Sequence, residues 1–130
     1  MALLTYFEVT GSLLAIVSDA SSDEDGQPQE QPISSTVTFT PSVKEVRAEG
    51  KIIRLQPICA RTVETGELVN IDDTTVELLA DTFGVGLTYR VDFSDVTYDK
   101  MRNQRVEPFR FAAPTDATPV DIATVERVEL

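Results

Sequence analysis

The sequence predicts an all-β protein, an antiparallel β-sandwich that forms a single domain over residues 1–130. Three observations support this fold class. About six to eight short segments rich in β-branched and aromatic residues alternate between apolar and polar positions, as half-buried strands do. Turn residues separate these segments roughly every ten positions. No segment shows an amphipathic helical pattern of ordinary length.

The clearest predicted strand follows Gly84 and Gly86, where apolar residues take every second position from Leu87 to Phe93. Its Tyr89 stands where immunoglobulin-like and fibronectin III-like sandwiches carry a corner tyrosine. In those folds the ring is buried and the hydroxyl binds backbone a few residues upstream. The alternative is an ordinary core aromatic without a special hydrogen bond.

The first forty residues predict two β regions separated by a loop. Residues 5–17 hold two short β-type runs, which a bulge at Gly11 would keep in one strand. Residues 18–33 are acidic and polar with few apolar side chains, which predicts a long mobile loop. Residues 34–41 predict a strand that its proline ends or places at a sheet edge.

The middle of the chain begins with a mostly apolar run at residues 51–60, which predicts a central strand up to Pro57. Shorter turns and strands follow, at residues 64–67 with Gly66 at positive φ, 69–71, 72–73 and 75–80. Residues 95–103 predict a polar hairpin or excursion. Residues 105–111 alternate again, and Pro108 interrupts that strand or confines it to an edge.

Residues 112–130 form a predicted C-terminal extension. Thr118 and Pro119 fit an N-cap followed by proline at the first helical position, and Asp121 adds an acid in the first turn. This pattern predicts a short helix over residues 119–126. Several β-branched residues in it disfavour a long one.

Composition excludes most catalytic and nucleic-acid-binding classes. The chain has no histidine and a net charge of −11, so the usual neutral-pH general base and a phosphate-binding surface are both unexpected. Cys59 is the only cysteine, which excludes an intrachain disulfide and predicts a small buried hydrophobe. The longest apolar run, residues 13–17, is too short to span a bilayer. We expect no enzyme, no cofactor, no nucleic-acid or membrane partner, and synthesis in a cytoplasm.

Two groups of side chains could form a metal-binding or catalytic site, but the sequence supports neither site. In the acidic stretch 19–26, aligning Gly26 with the glycine of a calcium-binding EF-hand loop places Pro32 where a bidentate glutamate is required. A solvated acidic loop is therefore favoured over a metal site. Paired carboxylates remain the one acid–base arrangement that the composition allows, but no motif selects a pair. We predict no catalytic, cofactor-binding or metal-binding residues.

Two further features bear on interactions. Arg105, Glu107 and Arg110 stand near Phe109 and Phe111, where they would frame an interaction surface or simply form the outward side of a strand. Apolar residues near both termini suggest strands held by a neighbouring subunit through β-augmentation. The alternative is that these ends pack on the chain's own sheet.

Four motifs, taken in order, resemble one β-sandwich domain of minor tail proteins from phages that infect actinobacteria. They are Ser35–Ser42, Thr88–Phe93, Val106–Phe111 and Val120–Ile122. The resemblance covers most of the chain and lies in the order and spacing of the motifs.

The resemblance implies a non-enzymatic virion component at the phage tail or its tip, made in the host bacterial cytoplasm. Its implied partners are other phage structural proteins and further copies of itself, with contact to the host surface as an option. The alternatives are a capsid decoration or fibre-anchoring protein and, from another class, a small receptor- or carbohydrate-binding module. That last function would require an exposed aromatic platform.

Overall fold

The computed structural model describes residues 4–16, 30–48, 50–98, 101–104 and 106–129. Within these residues the chain forms thirteen β-strands and no helix, which confirms the all-β prediction. The strands are β1 (Tyr6–Thr10), β2 (Leu14–Ile16), β3 (Glu30–Pro32), β4 (Ser34–Pro41), β5 (Glu45–Ala48), β6 (Lys51–Arg54), β7 (Ile58–Thr62), β8 (Leu68–Asn70), β9 (Val76–Leu79), β10 (Thr88–Tyr98), β11 (Met101–Gln104), β12 (Phe109–Ala112) and β13 (Val120–Asp121).

Two main sheets pack face to face as a sandwich. The small sheet has the order β13-β1-β9, and the large sheet has the order β11-β10-β4-β7-β8 with β12 also paired to β10. All pairings within these sheets are antiparallel except that of β1 with β13, which is parallel. The predicted antiparallel sandwich is confirmed, while its assignment to the immunoglobulin or fibronectin type stays a prediction.

An aromatic cluster joins the two sheets at the centre of the core. Phe7 of the small sheet lies edge-on to Tyr89 and Phe111 of the large sheet, with ring centroids 6.0 and 6.2 Å apart. The buried residues of β10 follow the predicted alternation, since Leu87, Tyr89 and Val91 all face inward. The strand itself starts at Thr88 and is longer than predicted.

The large sheet is built around β4 and β10. β4 pairs with β10 on one side and with β7 on the other, so it is a central strand that Pro41 ends. β10 continues into a hairpin with β11, which confirms the polar hairpin predicted there. β12 starts only after Pro108, so the proline interrupts the run predicted from residue 105.

The two β runs predicted within residues 5–17 are present as β1 and β2, but the bulge at Gly11 that would keep them in one strand is not. β1 belongs to the small sheet, whereas β2 pairs with β3, and the chain changes partner at Gly11. The carbonyl of Gly11 accepts a hydrogen bond from the amide of Leu68, and the amide of Leu13 donates to the carbonyl of Gly66. These bonds hold the segment against the large sheet, which a continuous strand in the small sheet would not reach.

The predicted loop 18–33 ends too late. Residues 30–32 form β3, and Ile33 is buried with its carbonyl accepting a hydrogen bond from the hydroxyl of Thr62 at 2.7 Å. Residues 30–32 form a strand because they pair with β2, and their polar composition gave no indication of this pairing. The rest of the predicted loop, residues 18–29, lies outside the described residues.

The prediction of one central strand over residues 51–57 is also wrong. Residues 51–54 form β6, which pairs only with β5 in a separate two-stranded hairpin. Gly50, directly before β6, has a φ of 73°, a conformation that glycine adopts readily in hairpin turns. The central strand of this region is β7, which starts after Pro57. The apolar run is therefore divided at Pro57 into a hairpin strand, β6, and a central strand, β7.

Farther along, the turn predicted at residues 64–67 is present, and Gly66 has the expected positive φ of 85°. β8 and β9 lie within one residue of the predicted strands. Asp73 between them has a φ of 68°, which a short polar side chain tolerates in a turn.

The predicted helix over residues 119–126 is absent. Val120 and Asp121 form β13, which pairs with Val9 and Thr10 of β1. A turn follows, in which the carboxylate of Asp121 accepts the amide of Ala123 at 2.8 Å. Cross-strand pairing and burial of Val120 outweigh the local capping pattern, because β-branched residues suit a strand better than a helix.

Both ends of the described chain pack on its own sheets. The amide of Ala80 donates to the carbonyl of Thr5, and the amide of Val128 donates to the carbonyl of Arg110 on β12. The guanidinium of Arg127 lies 4.2 Å from the ring centroid of Phe109. In the structure these segments therefore pack on the chain's own sheets, which is the alternative to a strand held by a neighbouring subunit.

Candidate functional site

The crossing from the small sheet to the large one is fixed by Tyr89. Its hydroxyl donates a 2.8 Å hydrogen bond to the carbonyl of Leu79, which lies ten residues upstream and not the few residues that the corner pattern predicts. Burial raises the pKa of Tyr89 far above its usual value of 10.0 and outweighs the opposing effect of the bond to Leu79. The hydroxyl therefore stays protonated and serves as a structural donor.

Asp81 organises the loop before β10, a role that was not predicted from the sequence. One carboxylate oxygen accepts the amide of Val85 at 3.0 Å, and the other accepts the amides of Gly86 and Leu87 at 3.0 and 3.1 Å. The residue is only 7% exposed. The available signal was an aspartate a few residues before two glycines, since such carboxylates satisfy turn amides.

An apolar cleft of about 380 Å³, here called the end cleft, opens where strands of both sheets start or end. Its size lies within the range of small-molecule sites. Its polar lining residues are Arg54 and Gln56, and the hydroxyl of Tyr89 is already used by Leu79. The other lining residues are Leu4, Tyr6, Pro41, Ile53, Leu55, Pro57, Ile58 and Leu79.

A second cleft, of about 460 Å³, lies on the outer side of the small sheet and is here called the acidic cleft. Glu8 and Glu77 are direct cross-strand partners and both are exposed, so their carboxylates share this surface. Tyr6, 49% exposed, borders both clefts. The remaining lining residues are Asn70, Thr74 and Thr75. This pair is one that no sequence motif selected.

The β5–β6 hairpin presents the opposite charge. Because cross-strand partners share a side, Arg47 and Ile52 lie on the same side of the hairpin as Glu45 and Arg54. Ile52 is 60% exposed, whereas Val46 on the other side is buried. Glu45 is bound by Arg47 at 3.4 Å. This outer side therefore combines exposed apolar area with excess positive charge.

Of the residues singled out from sequence, those within the described part of the chain do not come together as a site. Residues 19–26 lie outside the described part, within which no three Asp, Glu, His or Cys side chains are grouped as metal ligands. Cys59 is exposed on the outward side of β7, so the prediction that it is buried is wrong. It alternates with the buried Ala60, which takes the core position.

The predicted interaction surface around β12 lacks its aromatic part. Phe109 and Phe111 are buried in the core, while Arg110 lies on the outward side of the strand. Glu107 is exposed beside them, and Arg105 lies outside the described residues. Arg110 thus belongs to the outward side of an ordinary strand, as the alternative interpretation of these residues predicted.

Comparisons with protein families, with curated proteins and with solved structures give no match to this chain. Among the described residues, no helix is long and apolar enough to cross a membrane.

Proposed function

We propose that this protein is a non-enzymatic structural component of a bacteriophage virion, a minor tail or tail-tip protein that acts through contacts with neighbouring subunits. One observation carries the proposal. The β5–β6 hairpin stands outside both main sheets and exposes Ile52 between arginines, which is a composition suited to contact with another protein.

The tail assignment draws its support from the order of the four motifs. Three of them overlap β4, β10 and β12, which are adjacent strands of the large sheet, and the fourth contains β13. The motifs thus belong to one folded unit, as a shared domain requires. Because a fold hosts many functions, the tail location rests on the resemblance.

The alternative of a receptor- or carbohydrate-binding module draws on the end cleft and on Tyr6 at its rim. Tyr6 is the one aromatic among the exposed large hydrophobic residues of the described chain. A sugar-binding platform stacks its ligand on exposed aromatic rings, so a single tyrosine favours this function less than assembly does.

Gold-labelled antibody against the protein, imaged on purified particles of the phage that encodes it, tests the proposal. We expect label at the tail. Label on the head would favour the capsid decoration alternative, and particles without the protein would refute a virion role. Glycan-array binding by the isolated chain would instead support the module.

A further inference from the structure

We infer that the β5–β6 hairpin of one copy docks in the acidic cleft of a second copy, which joins subunits head to tail. This inference rests on the proposed assembly function and names the contact through which it would operate. It commits to a second copy as the partner because the two surfaces belong to the same chain and are complementary in charge, and because each has exposed apolar area.

The hairpin is the basic half of the contact. Arg47, Ile52 and Arg54 share its outer side, and only Glu45 opposes their charge there. An exposed isoleucine loses unfavourable water contact when it is covered, while arginines pair well with carboxylates at an interface. The hairpin therefore suits a concave acidic surface with some apolar area.

The acidic cleft is the receiving half. Glu8 and Glu77 lie directly opposite each other on β1 and β9, an arrangement in which like charges repel. Tyr6 borders the same cleft, and Ile71, 59% exposed, follows its lining residue Asn70. Cations brought by a partner would relieve the repulsion, and the two apolar side chains would be available to Ile52.

The net charge of the chain selects this pairing over others. At −11, most surfaces of two copies repel, so a contact between one basic and one acidic region is favoured over random association. The two regions are different parts of the chain, which makes the interface heterologous. Such an interface propagates into a ring or an open filament, and does not stop at a symmetric dimer.

Complementation between two variants tests the contact. The hairpin variant Ile52→Ser/Arg54→Gln and the cleft variant Glu8→Gln/Glu77→Gln each lose one half and retain the other. Oligomeric state is measured by sedimentation velocity in about 0.15 M salt. At this ionic strength, repulsion between charges more than roughly 8 Å apart is screened, while charge pairs in contact persist. We expect oligomers from the wild type, monomers from each variant alone, and a dimer that grows no further from their equimolar mixture.

Two controls match the variants in chemistry. Lys51→Gln removes one cation from the other side of the same hairpin, and Glu64→Gln/Glu126→Gln removes two exposed acids outside the cleft. Both should oligomerise as the wild type does, whereas each test variant should weaken association at least about tenfold, as loss of a central interface contact does. All changes are at exposed positions, and circular dichroism checks that each variant is folded.

The outcomes separate this inference from the proposed function. A wild-type chain that is monomeric at its highest soluble concentration would refute the head-to-tail contact, even if the protein is found in purified particles. So would a mixture of the two variants that stays monomeric. Oligomers in solution combined with absence from particles would uphold the contact and refute the virion role.

Discussion

Tyr89 connects the two sheets through one buried hydrogen bond. Its hydroxyl, on β10 of the large sheet, lies 2.8 Å from the carbonyl oxygen of Leu79, the last residue of β9 in the small sheet. The ring also contacts Phe7 and Phe111, so the same side chain contributes to packing and to the connection between sheets.

Replacing Tyr89 with phenylalanine should keep the packing and remove the bond. We expect Tyr89→Phe to lower the free energy of unfolding by about 1 kcal/mol or more, because the Leu79 carbonyl loses a buried donor. Urea denaturation measures the change. Tyr6→Phe, at an exposed ring, is the matched control and should be nearly neutral. Equal effects of the two substitutions would reduce Tyr89 to an ordinary core aromatic.

The raised pKa of Tyr89 predicts a pH dependence. Because the folded state holds the hydroxyl proton more tightly than the unfolded state, this group's stabilisation is complete below pH 10.0 and is lost as pH rises above that value. The stability advantage of the wild type over Tyr89→Phe should therefore shrink by up to about 1.4 kcal/mol per pH unit above pH 10.

Denaturation of both proteins between pH 8 and about pH 11 measures that difference, and all other titrating groups cancel in the comparison. A gap that stays constant, or widens, across this interval would show that the hydroxyl is not buried as described.

Asp81 should be more important for stability than its loop position suggests. Both carboxylate oxygens of Asp81 accept hydrogen bonds from backbone N–H groups, and in Asp81→Asn one of these oxygens becomes an NH₂ donor that cannot accept them. We therefore expect the free energy of unfolding to fall by about 1.5–3 kcal/mol. Asp116→Asn makes the same chemical change at an exposed turn, where the carboxylate accepts the amide of Thr118 at 3.0 Å. Thermal unfolding that shows equal losses for both variants would contradict the role of Asp81.

The close approach of Gly66 to the backbone of Leu13 gives a sharper test of the β2 region. A Cβ at Gly66 would collide with the carbonyl oxygen of Leu13, whereas a Cβ at Gly50 would meet nothing within 4 Å. Both glycines have positive φ, so Gly50→Ala reports backbone strain alone. Gly66→Ala should cost at least about 1 kcal/mol more, as overpacking does. Equal costs would mean that residues 11–13 do not pack there.

Repulsion between Glu8 and Glu77 predicts a stabilising substitution. Glu77→Gln should raise the stability of the monomer by a few tenths of a kcal/mol, since like charges on cross-strand partners are unfavourable. The gain should vanish when Glu8 is already glutamine, which a double-mutant cycle measures directly. A gain that persists in the Glu8→Gln background would place its origin elsewhere.

The strands that sequence predicts most directly are those whose side chains alternate strictly. β4 and β10 have one buried side and one polar side, so apolar and polar residues alternate along their sequences. Pro57 shows the limit of this approach: an apolar run spans it, yet the residues before it form a hairpin and those after it a central strand. Hydrophobicity alone does not say which partner covers a side chain.

The helix predicted at residues 119–126 failed for a related reason. Capping patterns are local, but Val120 is buried by pairing with Val9, more than one hundred positions earlier in the chain. The acidic cleft escaped prediction in the same way, because Glu8 and Glu77 become neighbours only when β1 and β9 pair. This cleft is a product of long-range pairing, which no short motif encodes.

The parallel pairing of β1 with β13 has a consequence for the order of folding. These are the first and last strands of the described chain, so the small sheet cannot be completed until residue 121 has been synthesised. During translation the residues of β4, β7 and β10 of the large sheet are made before those of β13. Contacts of such high sequence separation slow folding. A strand formed near residue 121 therefore closes the sheet that β1, more than one hundred residues earlier, begins.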